Sequence, residues 1–492
     1  MTNSTTFRTL PKDLQTGLWL DGANVPAQDG GTFDVINPAT EEVLTSVADA
    51  QSADWMKALD LADQAFADFA AMSPRQRSAI LYDIFEAVKE REDDFARVMT
   101  LEMGKPLAEA RGEVAYGASY FQWFAEEAVR AGGRTAQSPA GQGSIVTVRK
   151  PVGPVLAITP WNFPLAMAAR KIAPALAVGC PVIVKPAGQT PLTMLLLGSV
   201  MAEVLERHDA PASAVAIITS SSSKDLSSEL MADPRLKKVT FTGSTGVGQV
   251  LVKQSAEHLQ RTSMELGGNA PFVVAEDADL DLTIEAAVAA KMRNGGEACI
   301  SANRFLVAES IAQEFTERLV AKMREFVLGD GLDEGVTLGP LINAEQRDGV
   351  AELVDDARRA GASVLVGGEV PDRSGYFYPA TVVVDVPKGT RILEEEIFGP
   401  VATVVTFKDL DEGIAMANDT PFGLAAYGFT TNMATAQRFA EELQAGMVGV
   451  NRAGISDAAA PFGGIGLSGF GREGGLEGLD EYTYIKYVAF PA

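Results

Sequence analysis

Three observations predict a two-domain α/β protein. Segments rich in β-branched residues alternate with helical runs, glycines cluster where strands pass into helices, and the chain has 492 residues. The alternation is that of a parallel sheet covered by helices. The length exceeds what one hydrophobic core holds, so two large domains are expected, with any appendage outside them.

In chain order, Val155 to Thr159 reads as a strand, and after Trp161-Asn162-Phe163-Pro164 a helical stretch runs to near Gly179. Val182-Ile183-Val184 is the next strand and finishes at Lys185, followed by a helix from about Pro191 to His208. Ala214 to Ile218 and Lys238 to Phe241 repeat the strand signal. The second of these enters Thr242-Gly243-Ser244-Thr245-Gly246-Val247-Gly248 before another helix, which outlines a nucleotide-binding half-fold. From about Asp277 a second succession begins, with helices near Asp281 to Met292 and Ile311 to Val327 and strands near Ser363 to Val366 and Ala402 to Phe407. Ala131 to Gly143 and Tyr482 to Phe490 fit no helical pattern and are expected as extended arms that pair with another subunit.

Composition narrows the function classes. A formal net charge of −24 disfavours nucleic acid, whose binding needs clustered Lys and Arg. It also repels anionic ligands at long range, so local cations or helix N-termini must draw them in. No apolar run reaches the ~18 residues of a membrane span, and Met1 to Thr5 lack a signal-peptide pattern, so no membrane partner and a cytoplasmic location are expected. Two cysteines far apart make no disulfide framework, which leaves Cys299 free to react. His208 and His258 lack companion ligands, so neither a histidine metal site nor a Ser/His/Asp triad is expected, and no metal is assigned.

Chemistry concentrates in a few segments. Met292-Arg293-Asn294-Gly295-Gly296-Glu297-Ala298-Cys299 offers a thiol near glycines, and Met264-Glu265-Leu266-Gly267-Gly268-Asn269 offers a carboxylate on a glycine-flanked turn. Together they supply a nucleophile and a base for two-step covalent chemistry. The alternative is a packed cysteine and a solvated acid. Glycines at 243 to 248 expose backbone N–H groups to a pyrophosphate, although alone they read equally as an ordinary turn. Lys185 stands at a strand's carboxyl end, where open α/β sheets bind ligands, and a surface lysine is the alternative. Asn162 brings an amide donor for an oxyanion, or simply forms a turn beside proline.

Together these segments resemble the aldehyde dehydrogenase superfamily, from Ile36-Asn37-Pro38-Ala39 to Phe462-Gly463-Gly464, and include Glu395-Glu396-Ile397-Phe398-Gly399-Pro400 and Asn418-Asp419-Thr420-Pro421-Phe422-Gly423-Leu424. Within it, the chain resembles bacterial succinate-semialdehyde dehydrogenases in Met99 to Met103, Gly104-Lys105-Pro106-Leu107, Phe121 to Glu127, Arg170-Lys171, Lys291 to Asn294 and Ile455-Ser456. The resemblance implies an aldehyde dehydrogenase-like fold with a Rossmann-type cofactor domain (1–128 and 148–260), an α/β catalytic domain (261–470) and a small β oligomerisation arm (129–147 and 471–492). A homodimer or homotetramer is expected from it.

The same resemblance implies Cys299 as nucleophile, Glu265 as general base, Asn162 with the Cys299 N–H as oxyanion hole, and Glu473 as a second acidic residue that relays protons. As a bare feature, Glu473 reads equally as an exposed acid. Trp161, Lys185, Ser244, Glu396 and Phe398 would contact the cofactor, with Gly243 and Gly248 shaping its turn. Arg170, Arg293 and Ser456 would bind the far carboxylate of succinic semialdehyde, which is to be oxidised to succinate; for either arginine the alternative is a bridge between helices. Many relatives carry Glu where this chain has Gly188, so NADP is the expected cofactor, with NAD second. Ser220 to Ser223 replace a glycine-containing turn on the adenine side, and Ser301 stands where some members carry a second cysteine. Glutaric semialdehyde is the alternative substrate, and a catalytically silent binding protein on the same fold is the alternative of another class.

Overall fold

The computed structural model describes residues 8–222 and 224–491. Residues 1–7, Ser223 at the end of the serine run, and Ala492 lie outside them.

Five strands of the first sheet are parallel: Val155–Ile158, Val182–Lys185, Val215–Ile217, Lys238–Thr242 and Arg261–Glu265. Numbered along the chain, they lie in the order 3-2-1-4-5. This is a doubly wound sheet whose winding reverses between Val155–Ile158 and Lys238–Thr242, and such a reversal opens a crevice at the strands' carboxyl ends. The segments that leave those ends are Thr159-Pro160-Trp161-Asn162 and Gly243-Ser244. Antiparallel edges close the sheet: Leu18–Leu20 with Ala23–Val25 on one side, Gly469–Phe470 on the other. The expected half-fold is therefore the core of an eight-stranded sheet.

Helices Pro74–Glu90, Leu107–Ala128, Ala166–Val178 and Leu192–Arg207 contribute to one core against this sheet, with Leu165, Ile172, Leu196 and Tyr120 fully buried or nearly so. The helix after Thr242 starts at Thr245, three residues before the expected loop ends, because the Ser244 hydroxyl accepts the Val247 N–H and caps it. Gly246 and Gly248 thus lie in its first turn.

The second sheet has seven strands, ordered Ser363–Val366, Thr381–Val384, Val401–Phe407, Ala302–Ala308, Ala270–Val274, Ala425–Phe429 and Met447–Val450. All its pairings are parallel except that of the first two. Phe272 and Phe429 stack across neighbouring strands at 4.5 Å between centroids. Five of these strands were not read from the sequence, because buried parallel strands give short apolar runs without alternation. A third sheet joins Thr135–Gln137, Ser144–Pro151 and Thr483–Phe490.

Two strand pairings fall at the expected domain edges. Arg261–Glu265 pairs with Lys238–Thr242 rather than opening the second unit, so the first sheet extends past residue 260. The expected edge at 147/148 cuts the continuous strand Ser144–Pro151, which pairs along its whole length with Thr483–Phe490. Among the described residues, no helix is long and apolar enough to cross a membrane.

Candidate active site

Glu265 ends the fifth parallel strand of the first sheet, and Gly267-Gly268 carry the chain across to Ala270–Val274 of the second. Gly268 is required by a close approach: a Cβ there would lie 2.4 Å from the carbonyl oxygen of Cys299. A glycine thus brings the Glu265 turn against the Cys299 turn. The latter follows a short 3₁₀ segment, Arg293–Gly296, in which Asn294, Gly295 and Gly296 have positive φ and reverse the chain. Cys299 is partly exposed and free, and desolvation pushes its thiol up to about 12, opposed by the charge of Arg170. Glu265 is buried, and among the described residues neither carboxylate oxygen has a hydrogen bond. Burial, reinforced by Glu473, raises its carboxyl well above the usual range.

Asn162 is buried in the segment leaving the first parallel strand. Its side-chain Nδ2 donates to the carbonyl of Glu297 at 3.0 Å, two residues before Cys299, and its Oδ1 accepts the Phe163 N–H at 3.1 Å. Asn294 Nδ2 donates to both the Asn162 and Glu297 carbonyls at 3.0 Å. The structure therefore brings Asn162, Glu265 and Cys299 together from three separate parts of the chain.

Glu473 is not an exposed acid. It is buried and ion-paired with both Arg170 and Lys171, and Lys171 Nζ also donates to Thr242 at 2.6 Å. Arg170 has no exposed surface, and its guanidinium lies 4.3 Å from the Phe462 ring centroid, while Nη1 and Nη2 find no hydrogen bond among the described residues. Arg293 differs. It is partly exposed, lies 4.9 Å from the Phe163 ring and 5.4 Å from Tyr116, and has no ion pair within 4.0 Å among the described residues. Ser456 sits half-buried on the loop after Met447–Val450, next to Ile455, which packs on the core that Cys299 also borders.

A cleft of about 940 Å³ opens at the winding reversal, and Trp161, Lys185, Gly188, Gly243 and Ser244 all line it. Burial lowers the Lys185 ammonium to about 8, with Asp49 acting against that shift. Gly248 lies outside the lining and serves packing: a Cβ there would meet Leu266 at 2.4 Å. Phe398 meets Trp161 edge-on at 5.3 Å, and Glu396 accepts the Gly268 N–H at 3.0 Å. At Gly188 a Cβ would make only ordinary contacts, 3.6 Å to the Ser220 carbonyl and 3.8 Å to Phe33.

Phe33, Asn343 and Tyr376 also line the cleft, and none carried a sequence signal. Nor did Asp49, whose carboxylate binds the Ser221 N–H at 2.9 Å and hydroxyl at 2.5 Å. Each comes from a segment distant in the chain from the strand ends.

The family model "Aldehyde dehydrogenase family" matches residues 25–488. A succinate-semialdehyde dehydrogenase of Paenarthrobacter nicotinovorans is 52% identical over 446 residues, 91% of this chain and 98% of that protein. A glutarate-semialdehyde dehydrogenase of Pseudomonas aeruginosa is 44% identical over 470 residues, 96% of each chain. The crystal structure of an NADP-dependent enzyme of Escherichia coli superposes with a TM-score of 0.94 at 42% identity, covering 97% of this chain and 98% of that one.

Proposed function

This chain belongs to the aldehyde dehydrogenase family, and from that premise we propose that it oxidises succinic semialdehyde to succinate with NADP, through a covalent intermediate on Cys299. The observation that carries the substrate class is Arg293, a partly exposed cation six residues before the thiol, with no carboxylate within 4.0 Å among the described residues although the charge of the buried Glu109 acts on it from farther off. In a chain of net charge −24 such a cation is the local attraction an anionic aldehyde needs. Arg170, fully buried and held by Glu473, adds positive charge behind the site rather than a contact open to solvent, and the half-buried Ser456 is a neutral donor for the carboxylate. The relative that acts on glutarate semialdehyde supports that aldehyde, one methylene longer, as a second reading.

The cleft fits a dinucleotide. The capped N-terminus at Thr245 suits a pyrophosphate, Lys185 a ribose or phosphate oxygen, and Glu396 with Phe398 the nicotinamide end. When bound, the nicotinamide accepts hydride from the substrate carbon. Cys299 loses its thiol proton to solvent and adds as the thiolate to the aldehyde carbon, and the resulting oxyanion is held by Asn162 Nδ2 and the Cys299 N–H, one of the strongest sources of rate enhancement open to such a site. Glu265, unencumbered by hydrogen bonds, takes a proton from the water that cleaves the thioester. Glu473, bridged to Lys171, passes that proton onward. The outward apolar residues Ile485, Tyr487 and Phe490 of the arm suit pairing with a second copy, as a homodimer or homotetramer.

Initial rates over a grid of aldehydes with NADP and NAD test this reading in the native protein and in Gly188→Glu. Succinic semialdehyde should give the highest kcat/KM, with NADP above NAD. The added carboxylate should reverse the cofactor ratio, because a side chain can start at Gly188 without a clash at its Cβ and its charge repels a 2′-phosphate. A native NADP-to-NAD ratio below one, or one that glutamate leaves unchanged, rules out Gly188 as the determinant. A neutral aldehyde preferred over both semialdehydes rules out the substrate class.

The pH profile follows from Glu265. Its raised folded-state pKa means that the carboxyl holds its proton above the usual carboxylate range and loses it as pH rises, so the base form accumulates upward. The hydrolytic step should therefore rise with pH along a limb lying well above 4.5. Single-turnover release of acid, measured against pH, checks this, and a limb in the ordinary carboxylate range contradicts it.

A further inference from the structure

Lys105 has no part in the reaction described above, yet it is a buried cation against the segment that carries Asn162. Helix Glu92–Met103 ends at Gly104 in a left-handed turn, and the Lys105 side chain that follows is 1% exposed. It is ion-paired with Glu113 on helix Leu107–Ala128. Lys105 Nζ also donates to the backbone carbonyl of Asn162 at 2.8 Å and lies 4.3 Å from the Phe163 ring centroid. The second oxygen of Glu113 accepts the N–H groups of Leu165 at 2.9 Å and Ala166 at 3.2 Å, where helix Ala166–Val178 begins. One ion pair therefore grips residues 162–166 at both ends.

The same helix grips the opposing turn. Glu109, one turn before Glu113, accepts the Asn294 N–H at 2.6 Å, and the Asn294 amide bonds the carbonyls of both Asn162 and Glu297. Helix Leu107–Ala128 with Lys105 thus fixes the two chain segments that bring Asn162 and Cys299 together. Stability alone is a poor reason for such a pair, since well-packed apolar residues of similar volume often replace a buried ion pair at no cost. Apolar replacements could not hold a carbonyl and two backbone N–H groups in place.

We propose that Lys105 and Glu113 are positioning residues that preorganise the oxyanion site by fixing the Asn162 segment against the Cys299 turn. This rests on the oxyanion role given to Asn162 above. A small displacement of a positioned group costs up to about a hundredfold in rate. Its effect should fall on the transition state rather than on substrate binding.

The experiment compares Lys105→Met, Asn162→Ala and the double variant by the first-turnover rate of cofactor reduction and by steady-state KM. Lys105→Met should slow the first turnover about tenfold to a hundredfold while KM for the semialdehyde and for NADP stays within about threefold. In the Asn162→Ala background the same change should cost nothing further, because both alter one unit. If the bare Glu113 carboxylate prevents folding, Lys105→Met with Glu113→Gln replaces the single variant and gives the same reading. A native first-turnover rate in the Lys105 variant, with Asn162→Ala slow, overturns the positioning role alone. An undiminished loss in the double variant also overturns it, showing that Lys105 acts independently of Asn162. A native rate in Asn162→Ala overturns the oxyanion reading and this proposal with it.

Discussion

Replacing Cys299 by alanine is expected to lower turnover on the order of a millionfold, the scale on which loss of a covalent nucleophile is felt. Replacing Glu265 by glutamine should give a different failure. The first half of the reaction needs the thiol and the oxyanion donors, whereas the second needs a base for water, and the buried carboxyl of Glu265 has both oxygens unbonded for that task. Glu265→Gln should therefore reduce about one cofactor per site in a burst and then stall as the thioester. Rapid mixing with absorbance at the reduced nicotinamide band reads the burst, and intact mass reads the added acyl group. The other cysteine cannot take over, because Cys180 has no exposed surface and burial pushes its thiol up to about 11. Steady turnover at the native rate in either variant would refute the assignment.

Arg293→Ala is expected to cost about 1.5 to 3 kcal/mol in the specificity for succinic semialdehyde, or roughly ten- to a hundredfold in kcat/KM. Butanal, of the same chain length but without the carboxylate, should lose little. The expectation rests on the state of the guanidinium: it is partly exposed, framed by Phe163 and Tyr116, and without an ion pair among the described residues, so little internal bonding is disturbed by its removal. Arg293→Lys should recover part of the loss, because an ammonium keeps the charge but lacks the planar fork that meets both carboxylate oxygens. The measurement is the ratio of kcat/KM for the two aldehydes. If it is unchanged in Arg293→Ala, the carboxylate is held elsewhere. Arg170 offers no equivalent test, since truncating it would also break its buried ion pair with Glu473 and leave that carboxylate to Lys171 alone.

The sequence alone determined whatever depends on neighbours along the chain. β-branched runs set between helical runs and turn residues located the strands ending at Ile158, Lys185, Ile217 and Thr242, because that composition and punctuation are local to each segment even where both faces are buried. Motifs that combine a reactive side chain with glycine, around Cys299 and Glu265, carried the expected chemistry, since glycine marks where backbone must come close. Gly268 against the Cys299 carbonyl is one such place. The turn 242–248 was legible as a turn, but the start of its helix was not, because the Ser244 cap is a three-residue hydrogen bond and not a periodicity.

The tertiary structure decided what depends on distance in space. Glu473 looked equally like a solvent acid, and only folding places it between Arg170 and Lys171, some 300 residues away. Asp49 and Ser221, or Lys105 and Asn162, carry no mutual signal in the sequence. Hydrogen bonds and ion pairs act over a few ångströms, and chain separation says nothing of which distant groups the sheets bring within that range. The pairing of Arg261–Glu265 was hidden for the same reason: a strand's membership in a sheet is set by its hydrogen-bonded neighbour, here Lys238–Thr242, and not by its own residues.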